Sequence, residues 1–362
     1  MITIIRAILI IIAVLLFGFM IFIHEFGHFF SAKLCGIRVN EFAIGMGPTL
    51  FHFQKGETKY SLRAFPIGGF CAMEGESGED GEGGDERAFY RKPVWQRMIV
   101  VVMGAVMNIV FGLVLMMILL GQQTAFNSTT VAAFAKNSAF QAAGIKVGDK
   151  FVSVDHYRVY GDKDLSFALA TANPSSVDIV VQRGKNTLSF DNVKLHSQKI
   201  SGKNYVSFDF YVEAIPKNAG TLLSKTVQDT VSVVRLVWYS LISLITGKFG
   251  FNEMAGPVGA ADAVGQVITS GLKQNFLAGL NNVIYVMMLF TVNLGVFNLV
   301  PFPALDGGKL FLFLIEAVRR KPINEKYIGV VETVGFALLM CFMLVVTYSD
   351  ILRLATGKGL GG

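Results

Sequence analysis

Four long apolar runs constrain this chain more than any other feature. They lie near residues 7–23, 98–120, 283–302 and 334–346, and the stretch between the middle two reads like an ordinary soluble domain. A helix rises about 1.5 Å per residue, so runs of this length with their flanks can cross a hydrocarbon core of about 30 Å. The expected spans are 4–31, 97–121, 277–300 and 329–350. With 52% hydrophobic and only 16% charged residues in 362, the composition is that of a membrane protein with a soluble insert. Arg6 precedes the first run, as in a signal peptide. No small-x-small cleavage pattern follows it, however, and it reads as a retained span.

The basic residues set an orientation. Lys33, Arg38, Lys55, Lys59, Arg63, Arg87, Arg91, Lys92 and Arg97 crowd the first loop, and Lys309, Arg319, Arg320, Lys321 and Lys326 the last. The positive-inside rule puts both loops in the cytoplasm and both termini, with the long middle section, outside. The net charge of +6 forms no basic stripe interleaved with aromatics, so nucleic acid is not an expected partner. Cys35, Cys71 and Cys341 are scattered and form no C-x-x-C pair, so neither a disulfide scaffold nor a thiolate zinc site is indicated.

The fold class expected is a polytopic α-helical membrane protein, with about four transmembrane helices, a cytoplasmic-side β element and an inserted α+β domain. Its divisions are 1–126, 127–213, 214–275 and 276–362. Alternation in Lys59–Phe65, then Pro66-Ile67-Gly68-Gly69-Phe70, predicts the β element. The acidic, glycine-rich stretch Glu74 to Glu86 lacks the spacing of a calcium loop and reads as linker. In the insert, strands are predicted at Val131–Ala135, Lys150–Tyr160, Val177–Arg183, Thr187–Lys194 and Tyr205–Val212, and helices near 138–143 and 162–172. Residues 221–247 carry Asp229 and Arg235 beside a short apolar run, which favours an interfacial amphipathic helix over a fifth span.

The chemistry centres on His24-Glu25-Phe26-Gly27-His28. On a helix, positions i and i+4 share a face, so two imidazoles can approach one tetrahedral Zn²⁺. Glu25 is placed to take a proton from water at such a site. Ionisable groups inside a span are costly and mark function. A third protein ligand is needed. Asp306 is the best candidate, because Pro301 and Pro303 must break the third span just before it. Locally Asp306 also fits a helix N-cap, and Glu332 is a weaker rival ligand.

These motifs resemble the site-2 protease family of intramembrane zinc metalloproteases, most closely its bacterial RseP-type branch. His24, Glu25 and His28 match its H-E-x-x-H, and Asn298 to Gly307 match N-x-x-P-x-P-x-L-D-G. The resemblance implies zinc at His24, His28 and Asp306, Glu25 as general base, and Asn298 as a contact to the substrate backbone or developing oxyanion. It implies that Gly68, Gly69 and Phe70 belong to a β region that engages an extended substrate strand. Met254-Ala255-Gly256-Pro257-Val258-Gly259 resembles a family signature, and Asn137 to Asp149 resembles the helix and Gly-Asp turn of a single PDZ domain. Gly104-Ala105 stands where relatives more often have Gly-Pro, and no role attaches to it from sequence. Implied substrates are single-pass membrane proteins, such as anti-sigma factors or leftover signal peptides, in the bacterial cytoplasmic membrane.

Two other classes stay open on sequence alone. A membrane-anchored PDZ scaffold would need no carboxylate at Glu25, and a transporter would show inverted repeats, which are not visible.

Overall fold

A computed structural model describes residues 2–76, 85–200, 203–247, 256–321, 323 and 325–356. The acidic stretch 77–84 and residues 254–255 of the proposed signature lie outside the described residues. In chain order the first elements are α1 (Ile2–Leu34), β1 (Val39–Lys55), β2 (Thr58–Met73), α2 (Val94–Gly121) and β3 (Ala125–Phe134). Next come α3 (Ala139–Ala142), β4 (Lys150–Val154), β5 (Tyr157–Arg158), α4 (Asp162–Thr171), β6 (Val177–Arg183) and β7 (Asn186–Val193). Then follow β8 (Ser197–Ile200), β9 (Lys203–Val206), β10 (Phe210–Pro216) and α5 (Ala219–Ile245). The last four are α6 (Pro257–Gln274), α7 (Phe276–Asn298), α8 (Asp306–Arg319) and α9 (Glu325–Thr356).

Among the described residues, four helices are long and apolar enough to cross a membrane: Leu15–Leu34, Val94–Gly121, Phe276–Asn298 and Tyr327–Arg353. They fall on the four runs expected from sequence. α5, with Asp229 and Arg235 inside it, is not among them. The chain forms two compact units, one of Met1–Gly112 with Ala255–Leu352, the other of Leu113–Met254 with Arg353–Gly362.

In the first unit, β1 and β2 fold into a bent antiparallel sheet. Glu41 to Ile44 pair with Lys59 to Leu62 on one side and with Gly69 to Ala72 on the other. One face, with Phe42 and Tyr60, packs on Phe22 and Phe29 of α1. Glu41 instead gathers Ser61 and Arg63, whose side chains donate to it at 2.5 and 2.8 Å. The sheet runs alongside α1. At one end Lys33 donates to Glu57 at 2.7 Å, and at the other a β-carbon on Gly18 would meet the Pro66 carbonyl oxygen at 2.2 Å. Fifteen helical residues separate these contacts, about 22 Å, so the sheet extends well down the span.

Small residues let α1 and α7 approach α2 closely. A β-carbon on Gly27 would meet Met103 O at 2.4 Å, and one on Gly295 would meet Ala105 O at 2.8 Å. α6 and α7 form a hairpin joined where Gly271 and Gly279 face each other, with Asn282 donating to Val267 O at 2.7 Å. Arg97 at the start of α2 forks onto buried Glu316 of α8 at 2.5 and 3.3 Å, its guanidinium 4.8 Å from the Phe313 ring. Asp350, buried in α9, accepts from Gly256 N at 3.1 Å and Gly259 N at 2.8 Å. That contact gives the glycines of Gly256-Pro257-Val258-Gly259 a physical reason: a side chain on either would press on the carboxylate.

The second unit is built on a sheet ordered β10-β3-β4-β6-β7, with β5 paired to β4. Val131, Phe140, Phe151, Leu165, Leu169, Ile179 and Phe210 fill its core. Gly148, at φ +87°, makes the turn into Asp149, whose buried carboxylate is gripped by Arg183 at 2.6 and 2.7 Å and by Lys146 N at 2.8 Å. The strand expected at Tyr205–Val212 is two strands, β9 and β10. Asp209 breaks it by turning aside to accept from Ser138 Oγ at 2.6 Å and Ala139 N at 2.8 Å. α5 docks on this unit by its polar face. Lys225 contacts Asp162 and, at 2.9 Å, buried Asp229, while Ser232 and Arg235 both donate to buried Asp164 at 3.0 Å. Leu223, Val227, Val231, Ile242 and Ile245 are left exposed along the other face.

Candidate metal centre

α1 sets His24 and His28 one turn apart, their rings 4.8 Å between centroids and nearly perpendicular. Both are buried, and their Nε2 atoms lie 3.2 Å apart. Asp306 arrives from far along the chain. α7 stops at Asn298, and Pro301 and Pro303 hold the next residues out of helix until Asp306 opens α8. The turn is tight. A β-carbon on Gly307 would meet Val300 O at 2.2 Å and one on Gly308 would meet Phe302 O at 2.4 Å. The N-cap of α8 is Leu305, with no side-chain cap bond, so Asp306 does not serve as the cap.

Its carboxylate turns inward instead. Asp306 Oδ2 lies 3.0 Å from His24 Nε2 and 3.3 Å from His28 Nε2, yet it makes no hydrogen bond. One ligand atom from each of the three side chains lies within 4.8 Å of the other two, close enough to share a common centre. Two imidazoles and a carboxylate are a donor set that suits tetrahedral zinc with one position open. The residues present therefore fit the ion. Glu332 is not part of this group, which among the described residues comprises His24, His28 and Asp306.

The outer ring nitrogens are engaged as ligand histidines require. His28 Nδ1 donates to Val100 O at 2.8 Å. His24 Nδ1 lies 3.2 Å from Nδ2 of Asn108, fully buried in α2, and Asn108 Oδ1 has no hydrogen-bond partner among the described residues. A histidine that ligates through Nε2 carries its proton on Nδ1, and with zinc bound the Asn108 amide would have to turn over to present Oδ1 to that proton. Asn298, at the end of α7, brings its Nδ2 to 3.5 Å from His24 Nε2.

Glu25 is half-buried between this group and the sheet: a β-carbon on Gly69 would lie 3.4 Å from its Cγ. Gly68, Gly69 and Phe70 belong to the outer part of β2, with the Arg63 guanidinium stacked 4.6 Å from the Phe70 ring. Thus His24, His28, Asp306 and Asn298 lie together, with Glu25 and Gly69 beside each other next to them. Sequence reasoning missed Val100, Gly104 and Asn108. Asn108 had left one signal, a lone amide in an apolar helix, and Val100 acts through its backbone and leaves none.

Comparison with known proteins places the chain in a family. The profile of peptidase family M50 matches residues 12–342. Two clostridial proteins, both provisionally named zinc metalloproteases, are similar over nearly their full lengths. That of Clostridium perfringens is 39% identical over 95% of this chain and 98% of the relative, and that of Clostridium acetobutylicum is 36% identical over 94% and 97%. The regulator of sigma-W protease RasP of Bacillus subtilis is 29% identical over 94% of this chain and 97% of its own. With His24 and His28 of its first candidate span brought together with Asp306 of α8, and a family match along nearly its whole length, the chain belongs to peptidase family M50, the site-2 proteases, and is a zinc metalloendopeptidase.

Proposed function

We propose that the enzyme cleaves single-pass membrane proteins, anti-sigma factors or remnant signal peptides, within the bilayer of the bacterial cytoplasmic membrane. The observation that carries this is the convergence of Asp306 of α8 on His24 and His28, which lie in a candidate membrane-spanning helix. These three would hold zinc, which when bound would supply Lewis-acid polarisation. Glu25 takes the proton from the attacking water as its oxygen adds to the scissile carbonyl carbon. The same carboxyl then delivers that proton to the amide nitrogen as the C–N bond breaks. Asn298 donates its amide N–H to the substrate carbonyl oxygen as charge develops there.

A transmembrane helix must unwind before its peptide bonds become accessible, and its freed backbone groups need partners. Gly68, Gly69 and Phe70 offer them on the strand beside Glu25, by strand addition. The Glu41–Ser61–Arg63 cluster gives the sheet a polar face that can keep water near the site. In this reading residues 127–213 are an extracytoplasmic PDZ-like domain, both termini are outside, and the exposed apolar stripe of α5 rests on the membrane surface. RasP of Bacillus subtilis is named a regulator of sigma-W, which supports the anti-sigma class of substrate. The test is Glu25→Gln, which is expected to bind zinc and not cut. Wild-type cleavage of a membrane substrate by that variant would remove Glu25 from the mechanism.

A further inference from the structure

Lys309 lies one turn beyond Asp306 in α8, and its Nζ donates to Glu76 Oε1 at 2.8 Å. Glu76 stands in the turn that ends β2, where Glu76 N bonds Met73 O at 3.3 Å and Gly75 takes φ +68°. Neither residue has a part in the chemistry above. Both side chains are partly covered, 31% and 25% exposed. Burial works against the Lys309 charge, but Glu76 outweighs it, with Glu332 and Asp306 adding to the same effect, so the ammonium is held above its usual range. The pair thus ties the first turn of the helix that carries Asp306 to the end of the strand that carries Gly68 to Phe70.

These are the two elements whose relative position hydrolysis depends on. One presents the extended substrate and the other fixes the metal, and a displacement of about 1 Å between reacting groups can cost on the order of a hundredfold in rate. We propose that Lys309, through Glu76, is a positioning residue that sets the register of the bound substrate strand against the zinc centre. The inference rests on the reading given under Proposed function. It assigns the pair a role in turnover, whereas an ordinary surface ion pair adds little beyond modest stability.

The test uses the full-length protein in lipid vesicles with a single-pass peptide that the wild type cleaves. Lys309→Met, Glu76→Gln, the double variant and Lys309→Arg are compared for kcat, KM, zinc content and thermal midpoint. Each single loss is expected to lower kcat about 10- to 100-fold, with KM within about twofold and zinc retained. The double variant is expected to be no worse than the poorer single, because both remove one interaction, and Lys309→Arg to recover most of the rate. Losses that multiply in the double variant, a loss carried by KM alone, or zinc lost in step with activity would each overturn the proposal. If Lys309→Met does not fold, Glu76→Gln, at a turn, carries the same expectations for kcat, KM and zinc. Glu25→Gln runs alongside. Cleavage by that variant defeats the underlying reading, whereas a dead Glu25→Gln with multiplicative losses at 309 and 76 defeats this inference alone.

Discussion

Gly104 of α2 stands directly against the His28 imidazole: a β-carbon there would lie 2.4 Å from His28 Nε2 and 2.8 Å from His24 Cε1. Real β-carbons do not approach so closely. The same helix meets α1 at Gly27, where a β-carbon would be 2.9 Å from Gly104 Cα. The two helices touch backbone to backbone beside the metal ligands, with no room for relief.

Gly104→Ala is therefore expected to displace both imidazoles. Zinc content of the purified variant, measured by atomic spectroscopy, should fall well below that of wild type, and cleavage should drop about a hundredfold or more. Retention of full zinc and activity would mean the helices can separate without cost.

Asn108 is expected to act through His24. Replacing it with Leu removes the amide beside His24 Nδ1 and leaves the ring free to turn, and loss of such a partner lowers metal affinity about 10- to 100-fold. Chelator competition reads this directly. Asn108→Asp, which keeps an acceptor, should lie closer to wild type. The reverse order would show that Asn108 serves packing alone.

Acid should loosen the second unit at a defined place. The Asp149 carboxyl is buried, which raises its pKa, but Arg183 and the Lys146 amide outweigh burial and hold it below the usual carboxylate range. A depressed folded-state pKa contributes stability that is present above the unfolded value of about 3.9 and lost as pH falls through the folded one. Hydrogen-exchange protection factors over β3, β4 and β6, corrected for the intrinsic change of amide exchange with pH, are thus expected to be steady from pH 7 to about pH 4 and to fall below it. In Asp149→Asn the neutral-pH protection should already be reduced, with a flatter acid response.

Lys225→Met would strand Asp229, whose carboxylate is buried and relies on that ammonium at 2.9 Å. Removing one member of a buried pair typically costs about 3–5 kcal/mol. The thermal midpoint should fall accordingly, and pairing Lys225→Met with Asp229→Leu should restore part of it. An unchanged midpoint in the single variant would show that water already reaches Asp229.

The parts of the molecule that were legible in its sequence are those written in local pattern. Four apolar runs, the i,i+4 spacing of His24 and His28, and the two prolines ahead of Asp306 each state a geometry within a few residues. The contacts that hold the site in shape join distant positions. His28 meets Val100, Asn108 meets His24, and Arg97 meets Glu316, separated by 72, 84 and 219 residues. No periodicity records such pairs. Gly104 looked unremarkable because its importance is the absence of a side chain where a distant ring passes. The break between β9 and β10 was hidden for a related reason: the residues read as one alternating strand, and only the partners of Asp209 across the fold make it turn away.

The fork of Arg97 on Glu316 is shut off from solvent, while Lys33–Glu57 and Arg87–Glu57 hold the rim of the sheet with half-open side chains. Dissolved ions weaken the second kind of contact and scarcely reach the first. Concentrated salt should consequently unfasten the hairpin tip around Glu57 and leave the joint between α2 and α8 intact. The enzyme has an ionic periphery that tracks its medium, fitted to a frame that ignores it.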